Sequence, residues 1–296
     1  MKKRTQFNIS SREKLRNRII NYQKMYPISR SLHRIYCQTT HFLHPFPDYL
    51  IIGASRSGTS SLYEYIIQHP DVKPAITKQI HFFDKYFDRG IAWYKGCFPF
   101  NIKAKKNFIT GEATPYYLCH PLAPSRISKI IPNVKLIVLL RNSVDRTYSH
   151  YKMEFSRKKE DLSFEDALEK ENERLNGEIE KIINNPKYSS NHFPTHAYIY
   201  SSLYYDQIKM WLNFFPREQF LFIKSEDMFE HIDKIYNQTL TFLGLSPFRL
   251  NNYETVRKGN YSIMNHTTRE QLKKYFQPYN EKLYHLIGRD LKWEEE

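Results

Sequence analysis

Glycine is scarce in this chain. Nine in 296 residues is about 3%, against roughly 7% in ordinary sequences, so two glycines falling close together mark a backbone that requires them. Cysteine is scarcer: Cys37, Cys97 and Cys119 are odd in number and show no CxxC or Cys/His clustering. That pattern argues against a disulfide framework or a structural zinc and fits a reducing compartment. No apolar run approaches the roughly 18–20 residues of a membrane span, and the basic start Met1-Lys-Lys-Arg4 is followed by no signal-type apolar core. Acidic residues are nearly missing from the first 34 positions, where Glu13 stands alone against ten Lys and Arg. This +9 is most of the overall +14 and leaves +5 for the other 262 residues, so the charge is a local feature and not an all-round nucleic-acid-binding surface.

What is abundant is apolar and aromatic. A hydrophobic content of 41%, with 23 Tyr and 20 Phe, describes a folded chain and excludes a disordered or fibrous one. Residues 1–47 read as a basic helical arm (Arg12 to Met25), ended by Pro27 and a connector rich in His, Pro and Phe, with one folded domain over 48–296. Within it the short apolar runs Tyr49 to Ile52, Lys135 to Leu140 and Gln219 to Lys224 read as strands buried on both faces. Helical stretches accompany them: Ser60 to Gln68, Val144 to Phe155, Tyr204 to Phe214, a charged helix capped by Ser163 and running to Ile183 with a solvated face, and a final one over Thr267 to Leu286. This alternation predicts an α/β fold, a P-loop-like, doubly wound parallel sheet flanked by helices, with extra helical segments. Ligands of such sheets sit beyond the carboxyl ends of the strands, so the residues just after Ile52, Leu140 and Lys224 are the first to inspect.

After the first strand comes Gly53-Ala-Ser-Arg-Ser-Gly-Thr-Ser60, with two of the nine glycines inside six residues. The spacing is that of a P-loop, whose backbone amides and helix N-terminus cradle phosphate. Thr59 stands where a nucleoside-triphosphate enzyme needs its lysine, which disfavours ATP chemistry. Arg56 supplies a cation inside the loop, as suits a nucleotide whose single 5′-phosphate carries a transferable group. The plain alternative is a Gly/Ser turn between strand and helix. After the second strand, Arg141 at the strand end and Ser149 two turns into the next helix can converge on one anion, while Asp145 is placed to pair with Arg146 or a neighbour.

Together these segments resemble the sulfotransferase superfamily that uses 3′-phosphoadenosine 5′-phosphosulfate (PAPS), and within it the carbohydrate branch of heparan-sulfate-type enzymes and their bacterial relatives. Further matches are Lys78-Gln-Ile-His-Phe-Phe-Asp84, Arg89-Gly-Ile-Ala-Trp-Tyr94, Gly111-Glu-Ala-Thr-Pro-Tyr-Tyr117, Pro216 to Phe220 and Arg257-Lys-Gly-Asn-Tyr261, over about residues 48–294. The resemblance implies sulfuryl transfer from PAPS to a hydroxyl or amine of a carbohydrate, leaving 3′,5′-adenosine bisphosphate and needing no metal. It places Arg56 against the leaving 5′-phosphate oxygen, held by Ser55, Ser57, Gly58, Thr59 and Ser60, and gives the 3′-phosphate to Arg141, Ser149 and the Arg257-Lys258-Gly259 loop.

The chain departs from the family at one point. Heparan-sulfate-type relatives commonly use a Glu as general base two residues before the His of this segment, and here that position is Gln79, whose amide cannot accept the proton. His81 is the expected base, with Glu112 second and expected just after a strand; Lys78 and Asp84 are expected to orient the acceptor. Asp84, Trp93, Glu112 and Tyr116 are candidate acceptor contacts, as stacking surfaces or polar partners, and Tyr94, Tyr117, Tyr204 and Tyr205 are further candidate stacking rings. A catalytically impaired sulfotransferase fold that binds nucleotide or glycan, or sulfation of a small non-sugar alcohol, are the alternatives. The expected partner is an anionic poly- or oligosaccharide, with no nucleic acid, and the basic arm suits contact with an anionic polymer or membrane surface. The expected location is the cytoplasm, or the Golgi lumen if an anchor has been removed.

Overall fold

The computed structural model describes residues 35–101, 108–250 and 264–295. The expected arm helix Arg12 to Met25 and the segment Arg257-Lys258-Gly259 lie outside the described residues. Four parallel strands form the centre: β1 (Tyr49–Gly53), β2 (Gly111–Ala113), β3 (Lys135–Leu140) and β4 (Phe220–Lys224), in the order β2-β1-β3-β4. The side chains of β1, β3 and β4 are largely apolar on both pleat faces because both faces are covered. Leu50, Ile52, Leu136, Val138, Leu140, Phe220 and Phe222 pack one way, and Tyr49, Ile51, Ile137, Leu139, Leu221 and Ile223 the other.

Helices supply the two outer layers. On the second face lies α1 (Thr59–Ile66), through Leu62, Tyr63 and Ile66; α2 (Gly90–Lys95) and α3 (Ala123–Ile130) pack on the first. Next come α4 (Ser143–Ser156), the short α5 (Phe164–Glu169), α6 (Glu171–Leu175), α7 (Glu178–Asn184) and α8 (Phe193–His196), and α9 (Tyr204–Leu212), which buries Tyr204, Ile208 and Trp211 against the first face. After β4 follow α10 (Ser225–Glu230), α11 (Ile232–Leu243) and the long α12 (His266–Ile287). The chain leaves β1 for β2 on one side and crosses back over β1 to β3 on the other. The sheet's switch point is therefore the crevice between β1 and β3, at their carboxyl ends.

Two readings change. The charged segment after Ser163 is three short helices, broken at Lys170 and at Gly177, whose φ of +71° suits glycine. Its face is not simply solvated. Glu171 and Glu178 are each only 3% exposed, and the Glu171 carboxylate accepts the amides of Ile199 and Tyr200, both at 2.8 Å. The second change is that Gly111-Glu-Ala113 is itself a strand. A Cβ at Gly111 would run into the Tyr49 carbonyl and ring, so the close approach of β2 to β1 requires glycine there.

Candidate active site

The loop after β1 has an unusual backbone. Gly58 takes φ +89° as the N-cap of α1, and Arg56, without glycine's freedom, takes φ +73°. A Cβ on Gly58 would also sit 2.5 Å from the Met228 methyl. Gly58 brings no capping side chain, so the first-turn amides of α1 are the natural donors for an anion at this end. Ser57 Oγ is buried and makes no hydrogen bond of normal geometry. A buried hydroxyl and the amide end of a helix gathered around a cation form the class of site that holds phosphate or sulfate.

The neighbouring strand β3 brings the second half. Arg141, one residue past β3, donates from its guanidinium to the Arg56 carbonyl at 3.2 Å. In α4, whose N-cap Asn142 accepts from the amides of Val144 and Asp145, Ser149 points back at the loop. Arg56 Nε donates to Ser149 Oγ at 3.0 Å, and Arg56 also reaches the Met153 sulfur at 3.4 Å. Residues 93 positions apart thus meet at one point. Lys78 joins them, donating to Ser60 Oγ at 2.5 Å.

Beside this floor lies a corner for proton transfer. His81 Nδ1 is 2.7 Å from Asp84 Oδ2, and its Nε2 is 3.3 Å from the side-chain oxygen of the exposed Gln79. His81 is held at φ +55°, an uncommon backbone for histidine. Burial by itself would lower the imidazole pKa, but the hydrogen bond and charge of Asp84 outweigh it, and the net shift is upward. In the neutral imidazole that donates Nδ1–H to Asp84, the lone pair lies on Nε2, and it is open to an acceptor proton once the Gln79 side chain turns its oxygen away. The His81 side chain keeps 33% of its exposure while Asp84 keeps 3%.

Two candidate contacts are corrected by burial. Glu112 is fully buried within β2, not after a strand, and its oxygens accept from Ile80 N, Thr114 Oγ1, Tyr94 OH and Tyr117 OH at 2.6–3.1 Å. It anchors the segment that carries His81 and is neither a base nor an acceptor contact; its pKa is raised by burial despite those donors. Asp84 does not face an acceptor either, since its carboxylate is turned onto His81. Tyr94, Tyr117 and Tyr204, candidate stacking rings, are core residues, and the Tyr204 hydroxyl donates to the Arg141 carbonyl at 3.0 Å. Trp93 packs toward Phe82 with the Arg89 guanidinium over its ring, and Tyr116 lies edge-on to His120 and Phe193. Asp145 pairs with Arg269 at 2.8 Å, not with Arg146, which is buried on Ser202 Oγ and the Tyr198 carbonyl.

Residues after β4 hold the site from behind. Ser225 Oγ donates to the Ser57 carbonyl at 3.0 Å, and Glu226 accepts the Asn142 amide at 2.9 Å. Their signal was positional: they follow Lys224 at a strand's carboxyl end.

A doubly wound sheet with an anion loop at its switch point, a strand-end arginine and a helix-borne serine defines a class of group-transfer fold that handles phosphate or sulfate esters. Residues 46–285 match the sulfotransferase domain family, and the chain belongs to it. Among similar proteins, the membrane-associated sulfotransferase kil1 of Dictyostelium discoideum is 27% identical over 84% of this chain and 66% of its own length. The heparan sulfate glucosamine 3-O-sulfotransferase 3B1 of Mus musculus is 29% identical over 84% of this chain and 65% of its own. The chain therefore spans about two thirds of the length of those relatives. A crystal structure of a sulfotransferase from Alicyclobacillus acidocaldarius superposes with a TM-score of 0.70 at 29% identity, over 84% of this chain and 99% of that one.

Proposed function

We propose that this chain transfers a sulfuryl group from PAPS to a hydroxyl of a carbohydrate, most suitably an anionic poly- or oligosaccharide. The observation that carries the reading is the Arg56–Ser149 contact. It joins the loop after β1 to the helix after β3, so that the two candidate sets of phosphate ligands share one floor. Ser57, Thr59 and Ser60 with the α1 amides would hold the 5′ group, and Arg141 and Ser149 the 3′-phosphate; Arg257, Lys258 and Gly259 are assigned to the latter by family resemblance. Membership of the sulfotransferase family supports PAPS as the donor.

The reaction is then an in-line displacement governed by positioning and charge. His81 Nε2 takes the proton of the acceptor hydroxyl as its oxygen bonds to sulfur. The bond from sulfur to the 5′-phosphate oxygen breaks, and Arg56, released from Ser149, neutralises the charge left on that oxygen. Asp84 holds the imidazole in the tautomer this requires. The proposed chemistry calls on no metal. A second reading rests on Gln79: an amide now fills the position usual for the base, so a nucleotide- or glycan-binding protein without turnover is the alternative.

Titration calorimetry with 3′,5′-adenosine bisphosphate and with 5′-AMP, both in EDTA, tests the nucleotide assignment. Tight binding of the bisphosphate and weaker binding of AMP is expected. Equal affinities would remove the 3′-phosphate site, and no binding at all would end the PAPS reading.

A further inference from the structure

The two halves of the phosphate floor belong to different loops, and something must fix their separation. Their direct links are made by the ligand side chains themselves, Arg141 to the Arg56 carbonyl at 3.2 Å and Arg56 Nε to Ser149 Oγ at 3.0 Å. The firmer connection runs through α10. Ser225 Oγ holds the Ser57 carbonyl, and the Met228 and Phe229 side chains lie directly beneath Gly58, within 2.5 and 3.1 Å of where its Cβ would be. One residue along, the Glu226 carboxylate accepts the amide of Asn142 at 2.9 Å and the indole N–H of Trp293 at 3.4 Å. Asn142 is the residue after Arg141 and the N-cap of the helix that carries Ser149, and its own side chain donates to the Trp293 carbonyl. Trp293 is 2% exposed, so Asn142 is braced against a buried residue.

We infer that Glu226 is a positioning residue for the 3′-phosphate half-site: it pins the β3–α4 turn to α10, whose Ser225, Met228 and Phe229 brace the loop for the 5′ group, and so sets the distance between the two anion subsites. The inference rests on the PAPS reading above. A carboxylate on a turn amide is a charge-assisted bond, and its loss lets Arg141 and Ser149 shift together while leaving the Ser225–Ser57 contact in place. Glutamine at this position keeps an acceptor oxygen for the same amide, whereas alanine does not.

Calorimetry on the full chain distinguishes the two claims. Wild type should bind 3′,5′-adenosine bisphosphate more tightly than 5′-AMP. Glu226→Ala should weaken the bisphosphate about tenfold, as expected for losing one such bond, with AMP affinity within about twofold. Glu226→Gln should restore most of the difference. In transfer assays Glu226→Ala should raise KM for PAPS by a similar factor with little change in kcat. Equal weakening of both nucleotides, or no change in either, overturns the role of Glu226 while the PAPS reading stands. A wild type that does not discriminate the nucleotides overturns that reading instead. If Glu226→Ala does not fold, the Glu226→Gln and Glu226→Asp pair decides: Asp, shorter by one methylene, should lose bisphosphate selectivity and Gln should keep it. Parallel behaviour of the two overturns the inference.

Discussion

At the scale of single residues the account turns on His81 and what surrounds it. Because Asp84 raises its pKa above the ordinary value, more of His81 is protonated at a given acidic pH, and a base must be neutral to act. The acid limb of kcat against pH should therefore lie above the usual histidine value of about 6.5. Asp84→Asn removes the cause of the rise but not the burial that opposes it. Its limb should move to lower pH while the plateau falls, and a limb that stays put would dissociate Asp84 from the titration. His81→Ala should cost on the order of 10²–10⁴ in kcat, the usual worth of a general base, with nucleotide affinity unchanged. The meeting of Arg56, Arg141 and Ser149 was legible in the sequence because each is a chemically distinctive residue at a strand end or a fixed spacing. Glu112 and Asp84 were misplaced for one shared reason. A carboxylate in a motif looks the same whether it faces solvent or is buried among donors, and only the fold brings Tyr94, Tyr117 and Ile80 onto Glu112.

At the scale of elements, the loop between β1 and α1 depends on a backbone that side chains resist. Gly58 and Gly177 form a natural comparison, both left-handed at φ +89° and +71°, because a Cβ on Gly58 would strike Met228 whereas one on Gly177 meets nothing within 4 Å. Gly177→Ala should cost only backbone strain, about 1 kcal/mol. Gly58→Ala should cost visibly more, roughly 2–3 kcal/mol with the displaced Met228, and should also weaken 3′,5′-adenosine bisphosphate binding. Thermal melts of the two variants read the difference, and equal shifts would contradict the packing of α10 beneath the loop. Strands β1, β3 and β4 were readable because continuous apolar runs declare burial on both faces. Strand β2 was not, since three residues with a glutamate at the centre carry no such pattern, and its glycine is required by the Tyr49 backbone across the ladder. The segment after Ser163 was read as one helix because its charges suit a helical surface; the glycine that divides it and the amides that Glu171 satisfies are tertiary facts.

At the scale of the whole molecule, charge and chemistry are separated along the chain. The anion floor gathers Arg56, Lys78 and Arg141 at the switch point, while +9 of the +14 net charge lies in residues 1–34. In the proposed function the floor takes the nucleotide, while the basic N-terminal sequence suits an extended anionic polymer or surface. Replacing Arg12, Lys14, Arg16 and Arg18 with Gln in the full chain should weaken binding to heparin and flatten its salt dependence, leaving kcat with a short oligosaccharide acceptor within about twofold. A proportional loss of activity on the short acceptor would place these basic residues in the site itself. The central claim, PAPS-dependent sulfuryl transfer to a carbohydrate, is tested most directly by incubating the wild-type chain with ³⁵S-labelled PAPS and a panel of heparan-type polysaccharides and oligosaccharides, with mass-spectrometric location of the sulfate. The account predicts label on a sugar hydroxyl, lost in His81→Ala. No label on any acceptor from the wild type, with label appearing in Gln79→Glu, would contradict it and leave a sulfotransferase fold disabled by its own glutamine.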